Sequence, residues 1–214
     1  MTLAHSDRGI ITANERAEVN QLLGIDSRVI YSDEIAELCP EMDLSQDVTW
    51  PVQAALYHPP GGIIRHDAVV WGYARGADRR GIEIHPYTEV TGIQRSNGRV
   101  TGVETTRGHV QTDMVVNATA GWSTLVADLA EVQLPITTHI LQAFVTEPMK
   151  PFLDVIIVSS QMHVYISQTD RGEFLIGAEI EPYTTYNGQG TLSFLEYSAR
   201  HVLELFPQLE RIRV

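Results

Sequence analysis

The sequence predicts a mixed chain of α/β and α+β character: an α/β segment carrying a β-meander, joined to a mostly antiparallel sheet with helices. Three observations carry that expectation. Apolar residues recur at helical spacing after residue 66, and alternating runs of strand length flank Asn97-Gly98. Short alternating segments then fill residues 143–179, before an amphipathic pattern closes the chain. Hydrophobic residues make up 43% of the 214 and charged residues 20%, the balance of a globular chain rather than a disordered one. At this length about 70% of the unfolded surface is expected to be buried, in one large or two small domains.

Taken in order, residues 13–23 (ANERAEVNQLL) hold helix formers around Ala17 and Leu22-Leu23, with Gly24 as the stop. Ser32-Asp33-Glu34 ahead of IAEL reads as the cap of a second short helix that Pro40 ends. A loop-rich section follows, punctuated by Pro51, Pro59, Pro60, Gly61 and Gly62. Val70, Tyr73, Ala74 and Ala77 define a third helix, with Asp67 in its first turn and Gly81 at its end. Residues 82–84 read as a short strand. Residues 90–95 and 100–105 flank Asn97-Gly98, the strongest short hairpin signal, and Val110 sits in a third segment after Arg107-Gly108. Residues 114–116 (MVV) read as a short strand of more buried character that runs into the small-residue turn NATAGWS, and residues 122–129 read as helix. Helix, meander, strand and glycine-containing turn in this order are similar to part of a nucleotide-binding α/β domain. In the second half, residues 143–146, 155–158, 163–168 and 173–179 read as strands of a mostly antiparallel sheet. Residues 191–206 close the chain as a helix with Leu192, Leu195, Ala199, Val202 and Phe206 on one side.

Charge and composition exclude several functions. A formal net charge of −12, with Arg75, Arg79 and Arg80 spaced as a solvated helix face, excludes a nucleic-acid backbone as partner. Cys39 is the single cysteine, so no internal disulfide forms and a reducing, cytoplasmic compartment is expected. The opening MTLAHSDRGII lacks a basic region followed by an apolar run, so no signal peptide is expected. No apolar run approaches ~18 residues, so no membrane span is expected. The eight histidines include no HExxH or HxH, and CxxC is absent, which argues against a metal site. No GxSxG elbow supports a nucleophilic serine. Asn117-Ala118-Thr119 matches a glycosylation sequon but reads as structural at the end of an apolar strand. A GxGxxG turn is also missing, since Gly188 and Gly190 lack a strand–turn–helix setting.

Three constellations remain as candidates, each with two readings. Small residues in NATAGWS let a backbone approach a phosphate or ribose closely, or they form a tight turn that needs no ligand. Arg65-His66-Asp67 sits between a glycine pair and a helix: a capped helix start with solvated charges, or a histidine that anchors a cofactor. In HVYIS, alternation puts His163, Tyr165 and Ser167 on one strand face, which lines a substrate pocket or faces solvent.

The stretches GGIIRHDAVVWGYARGADRRGIEIHPYTEVTGI, GRVTGVETTRGHVQTDMVVNATAGWSTLVADLA and LPITTHILQAFVTEP resemble the beta subunits of heterotetrameric sarcosine oxidases. HVYISQTDRGEFLIGAEIEPYTTY and VLELFPQLERIRV extend the likeness, which runs from about Gly9 to Val214. These subunits fall within the FAD-dependent amine oxidases that include D-amino acid and glycine oxidases. The resemblance implies oxidative demethylation of sarcosine to glycine, with a hydride equivalent passing to a noncovalent FAD. Electrons then pass to an FMN held covalently by a histidine near an alpha-type partner subunit, and on to oxygen. It further implies an alpha subunit that carries NAD and a tetrahydrofolate that accepts the one-carbon unit.

Gly62-Ile-Ile-Arg65-His66-Asp67 matches the family's flavin-attachment segment, which makes His66 the implied FMN anchor. An imidazole nitrogen suits that attack, Asp67 is placed to orient it, and Arg65 to stabilise negative charge building on the ring system. The resemblance also implies an adenine contact through the backbone of Val90. Ala118, Thr119, Ala120, Gly121 and Trp122 match the segment near the FAD diphosphate and ribose. Thr119 and Trp122 depart from the residues common there. His163 and Tyr165 fall on the sheet that covers the substrate side of the flavin.

The implied division is residues 1–60 as a helical and loop part of the substrate domain, 61–130 as part of the FAD-binding domain, and 131–214 as the antiparallel sheet and closing helix. The family's glycine-rich turn, its acidic ribose-binding residue and a lysine near the flavin have no counterpart here. The chain is therefore expected to be an inactive fragment with an uncovered strand edge at 114–116 that favours a homodimer. A flavin-free α+β binding or interaction module derived from the same fold is the competing expectation.

Overall fold

The computed structural model describes residues 1–214, the side chains of Ala178 and Glu179 excepted. The elements in chain order are β1 (Thr2–Ala4), α1 (Asp7–Leu22), β2 (Arg28–Tyr31), α2 (Ser32–Leu38), β3 (Ala54–Tyr57) and α3 (His66–Asp78). They continue with β4 (Val90–Ser96), β5 (Arg99–Thr105), β6 (Gly108–Gln111), α4 (Ser123–Asp128) and β7 (Leu141–Val145). The chain ends with β8 (Ile157–Ser159), β9 (Val164–Gln168), β10 (Phe174–Ile180) and α5 (Leu192–Leu205). Two compact units result: Met1–Gly62 with Ile140–Pro182 and Asn187–Val214, and Ile63–His139 with Tyr183–Tyr186.

The larger unit is built on a seven-stranded sheet of order β2-β3-β1-β8-β9-β10-β7. Every neighbouring pair is antiparallel except β1 and β8, which run parallel through Thr2 and Val158. Alternation along the strands separates two faces. Leu3, Ala55, Ile157, Val164, Ile166, Phe174 and Ile176 point to one core, which α2, α5 and the C-terminal segment complete through Ile35, Val202, Leu205, Phe206 and Leu209. Phe152, partly buried, packs against it with ring centroids 5.4 Å from Phe174 and 6.2 Å from Phe206. On the opposite face the small residues Ala4 and Ala54 are buried, and α1 packs there through Ala13 and Ala17.

Local chemistry sets the element ends. Ser6 is extended and its hydroxyl accepts from Gly9 N–H at 3.2 Å, so α1 begins at Asp7, six residues before the apolar pattern alone predicts. Ser32 is the first helical residue of α2 rather than its cap. Tyr31 occupies the cap without a side-chain bond, while Asp33 and Glu34 supply the first-turn acids. The loop-rich section holds β3, and the segment expected to be helix and loop contains three strands. At the far end, Thr191 Oγ1 accepts from Phe194 N–H at 3.3 Å and fixes the start of α5. That register buries Phe194, Ser198, His201, Val202 and Leu205, whereas Leu192, expected on the inner side, is 69% exposed.

The smaller unit contains α3, the β4-β5-β6 meander and α4. The hairpin turns through Asn97-Gly98 as the dipeptide predicts, and β5 pairs antiparallel with β6. Two expected strands are absent. Residues 82–84 are unpaired because the N–H of Ile82 is taken by the end of α3: it donates to Ala77 O at 3.2 Å, while Gly81 N–H donates to Asp78 O at 2.9 Å. This is a Schellman-type cap, and Gly81 supplies the left-handed φ of 76° that it needs. Residues 114–116 are also unpaired and open to solvent, Met114 at 74% and Val116 at 82%. Thr112 Oγ1 both accepts from Met114 N–H and donates to Met114 O, which commits that backbone to a local turn. The uncovered strand edge expected there does not form. Helix α3 forms over its expected span, yet none of its residues is buried.

One buried titratable side chain ties the larger unit together. His5, 8% exposed, donates from Nδ1 to Trp50 O at 2.9 Å and accepts at Nε2 from the Ser159 hydroxyl at 2.9 Å. Ser159 Oγ in turn accepts from Met162 N–H at 3.1 Å. Burial holds the His5 pKa below the usual imidazole value, against the carbonyls of Trp50 and Pro51 and the charge of Glu204, which favour protonation. The unfolded chain therefore takes up this proton first as pH falls. The stability due to neutral His5 is full above about pH 6.5 and is lost as pH falls toward the lower folded value. Urea unfolding at pH 7.5 and 5.5 is expected to show lower stability at the acidic pH, with a smaller drop in His5→Gln; equal drops in both proteins would contradict the assignment.

Candidate functional site

The helix α3 begins at the Arg65-His66-Asp67 triplet. Arg65 is its N-cap residue, with φ −74° and ψ 94°, and makes no side-chain cap bond. His66 and Asp67 are the first two helical residues, and Asp67 suits the positive end of the helix dipole. His66 Nε2 lies 3.2 Å from Asp67 Oδ1, and the two side chains are 89% and 84% exposed. With Nε2–H donating to the carboxylate, neutral His66 keeps the lone pair on Nδ1, the nitrogen available as a nucleophile. The triplet is thus both a helix start and an accessible, oriented imidazole.

The turn after residue 116 is pinned by its own side chains. Asn117 Oδ1 accepts from Thr119 N–H at 3.3 Å and from the Thr119 hydroxyl at 2.7 Å. Asn117 Nδ2 donates to Ser123 O at 2.8 Å, and Thr138 Oγ1 donates to Gly121 O at 2.6 Å. Both polar ends of the sequon are consumed in shaping this turn. Ala120 takes a left-handed φ of 47° and opens the 3₁₀ turn Ala120–Trp122 that leads into α4. Ala118, Thr119, Ala120 and Trp122 are exposed and Gly121 is half-buried, while Thr119 N–H and the Thr119 and Gly121 carbonyls are already engaged within the turn. Thr138 is the residue that sequence reading missed in this role, whereas the Asn117–Thr119 sequon already read as structural. Thr138 carries no local signal.

Val90 opens β4 at 37% exposure and pairs with Thr105, and the register shifts between Val90 and Gly92. That irregularity interrupts the ladder beside Val90, where a ligand could reach its backbone. In the same unit, Ile63, Ile64, Val70, Trp71, Met114 and Val116 expose their apolar side chains.

In the larger unit, the face of β7, β9 and β10 away from the core carries Tyr165, Ser167, Leu175 and Gly177 with Leu141, Ala143 and Val145 of the edge strand. Leu141 and Val145 are exposed there, Tyr165 is half-buried and Ser167 is buried. Tyr165 pairs directly with Gly177. A Cβ on Gly177 would come within 2.9 Å of Tyr165 Cε1 and of Ala143 Cβ, so the missing side chain is what lets the phenol ring lie against the sheet. His163 does not share this face. It precedes β9 in the turn, with a left-handed φ of 46°, and is exposed. A turn residue follows no strand alternation, which is why the expected His163–Tyr165–Ser167 face reduces to the last two.

No group of three or more His, Cys, Asp or Glu side chains that could hold a metal occurs among the described residues, and none of their helices is long and apolar enough to cross a membrane. Cys39 is buried, and burial with the nearby Glu41 charge pushes its thiol up to about 11, so it is no nucleophile at neutral pH.

Comparison with known proteins matches residues 1–214 to the FAD dependent oxidoreductase family. The chain is 41% identical over all 214 residues to sarcosine oxidase subunit beta of Rhizobium meliloti (strain 1021), spanning 51% of that protein. It is 37% identical to the subunit of the same description from Arthrobacter sp, over 100% of this chain and 53% of that one. Among solved structures, L-proline dehydrogenase from P. horikoshii superposes with a TM-score of 0.87 at 27% identity, over 99% of this chain and 56% of that one. The chain thus spans about half the length of the relatives it matches.

Because the open sheet face depends on the absence of a side chain at 177, Gly177→Ala is expected to destabilise the chain by about 1–3 kcal/mol and to alter the near-UV tyrosine signal. Urea unfolding within about 0.5 kcal/mol of the parent, with an unchanged near-UV spectrum, would contradict the packing described.

Proposed function

The chain belongs to the FAD dependent oxidoreductase family, and from that premise we propose that it supplies part of a flavin-dependent amine oxidase of the sarcosine oxidase beta-subunit type, without turnover on its own. The carrying observation is the likeness of the whole chain to such subunits. In this reading the unit with the meander is part of the FAD-binding domain, and the seven-stranded sheet belongs to the substrate domain. The protein works in the cytoplasm beside an alpha-type subunit.

The surface turn of Ala118, Thr119, Ala120, Gly121 and Trp122, with its left-handed Ala120, is the segment that would lie against a noncovalent FAD, and Val90 at the start of β4 would meet the adenine. His66 fits a covalent link to FMN: its ring is accessible, and its Nε2 is engaged by Asp67. When bound, FAD would take a hydride equivalent from the C–H beside the nitrogen of a secondary amine such as sarcosine, leaving an imine, and FMN would relay the two electrons to oxygen. The chain's own part is to hold and orient. Asp67 fixes the imidazole tautomer, Arg65 places a positive charge beside it, and Tyr165 supplies a polar, half-buried ring on the open sheet face. His163 borders that sheet from the turn. The exposed apolar side chains of the smaller unit support a reading in which further polypeptide covers them. The same exposure favours the second reading, a flavin-free interaction module.

Three outcomes separate the readings. The purified chain with added FAD is expected to show no sarcosine oxidation, and turnover would refute its being only part of the enzyme. In the assembled oxidase, the peptide containing His66 is expected to carry a flavin-sized mass increment that His66→Ala abolishes. A yellow assembly without that increment would refute the covalent link, and a colourless one would favour the interaction module.

A further inference from the structure

A cleft of about 310 Å³ lies in the larger unit, between α1, the end of β1 and the turn joining β8 to β9. Its volume is at the small end of the range for ligand sites, enough for a compact metabolite. Arg8, Thr12 and Arg16 line it from α1, at positions i, i+4 and i+8, which share one helix face. Ser160 and Gln161 of the opposite turn line it too, and no carboxylate does. The acids of α1 are Asp7, Glu15 and Glu18, and none stands three or four residues from either arginine. Neither guanidinium makes an ion pair among the described residues.

What sets the two arginines apart is the concave, carboxylate-free lining that they share. The chain carries a formal net charge of −12, so its exposed arginines have many carboxylates to choose from. Where Arg28 and Arg95 stand on strands they do pair, with Glu34 and Glu131. A solvated helix face ordinarily interleaves both signs at i±4. Here two cations without an ion pair among the described residues line a concave surface whose other polar side chains are hydroxyls, the Gln161 amide and the His5 imidazole, the last already bonded to Trp50 and Ser159. Concavity focuses their field, and the planar guanidinium fork matches carboxylate and phosphate oxygens.

We propose that this cleft binds a small dianion, a metabolite bearing phosphate or two carboxylates, with Arg8 and Arg16 as the charge-recognising residues and Thr12, Ser160 and Gln161 as neutral hydrogen-bond partners. The site lies in the larger unit and uses none of the residues assigned to flavin. It stands or falls independently of the oxidase reading.

Titration of the ¹⁵N-labelled 214-residue chain with pyrophosphate in one arm and succinate in another, at fixed ionic strength, tests it. Expected is saturable movement of the Arg8 and Arg16 side-chain N–H signals and of the Ser160 and Gln161 amides, in at least one arm. The stronger arm identifies the anionic group. Arg8→Gln with Arg16→Gln is expected to weaken that binding by about tenfold or more, with an unchanged circular dichroism spectrum because both side chains are exposed. Shifts no larger than those given by sodium chloride, or binding that persists at full strength in the double variant, would overturn the proposal. Should the double variant fail to fold, the saturable map on the unsubstituted chain decides alone.

Discussion

Everything in the larger unit depends on a three-residue strand. β1 lies in the middle of the seven-stranded sheet, antiparallel to β3 on one side and parallel to β8 on the other. Without it the β2-β3 pair and the β8-β9-β10-β7 group would be two separate sheets, each too small to enclose the core they share. A parallel contact this short supplies few ladder bonds, so the seam needs reinforcement. His5, the residue after the strand, supplies it by bonding Trp50 on one side and Ser159 on the other. The Met1 carbonyl accepts from Val158 N–H at 2.9 Å, and the Met1 ammonium donates to the Ile156 carbonyl. Small residues at Ala4 and Ala54 then let α1 lie against the back of this seam.

That construction distributes chemistry over the sheet. The core takes one face along the whole width. On the other face, α1 packs on the half formed by β1, β2 and β3, and its outer edge carries Arg8 and Arg16. The half formed by β7, β9 and β10 presents Tyr165 against the gap left by Gly177. The smaller unit follows a different logic. Its residues are held by turns and hairpins rather than by a core, so His66 and most of the 118–122 turn lie at the surface.

What was legible in the sequence was local. The Asn97-Gly98 hairpin, the span of α3 and the four later strands rest on signals within a dozen residues, and all of them form. The strands β1, β2 and β3 were invisible because three or four residues cannot display a period and their partners lie far along the chain. Residues 82–84 and 114–116 show the reverse failure. Both look like strands by composition, but their backbone groups are taken by a helix cap and by Thr112. For α5, counting apolar residues found Val202 and Phe206 but misplaced Leu192, because the buried stripe also takes in Phe194, Ser198 and His201. Among the proposed site residues, His66, Asp67 and the 118–122 turn were singled out by residue type and by likeness to a family. The partnership of Tyr165 with Gly177 was not, because it joins two strands, and neither was the Arg8–Arg16 cleft, whose far wall is the turn after β8.

β1 makes one cooperative sheet out of two. Native-state hydrogen exchange followed residue by residue tests this directly. Hydrogen-bonded amides of residues 2–4 should open only with the global unfolding that also releases β9 and β10, all with the same free energy. Fast exchange of β1 while β9 and β10 stay protected would mean that the two groups of strands are independent, and the account would be wrong.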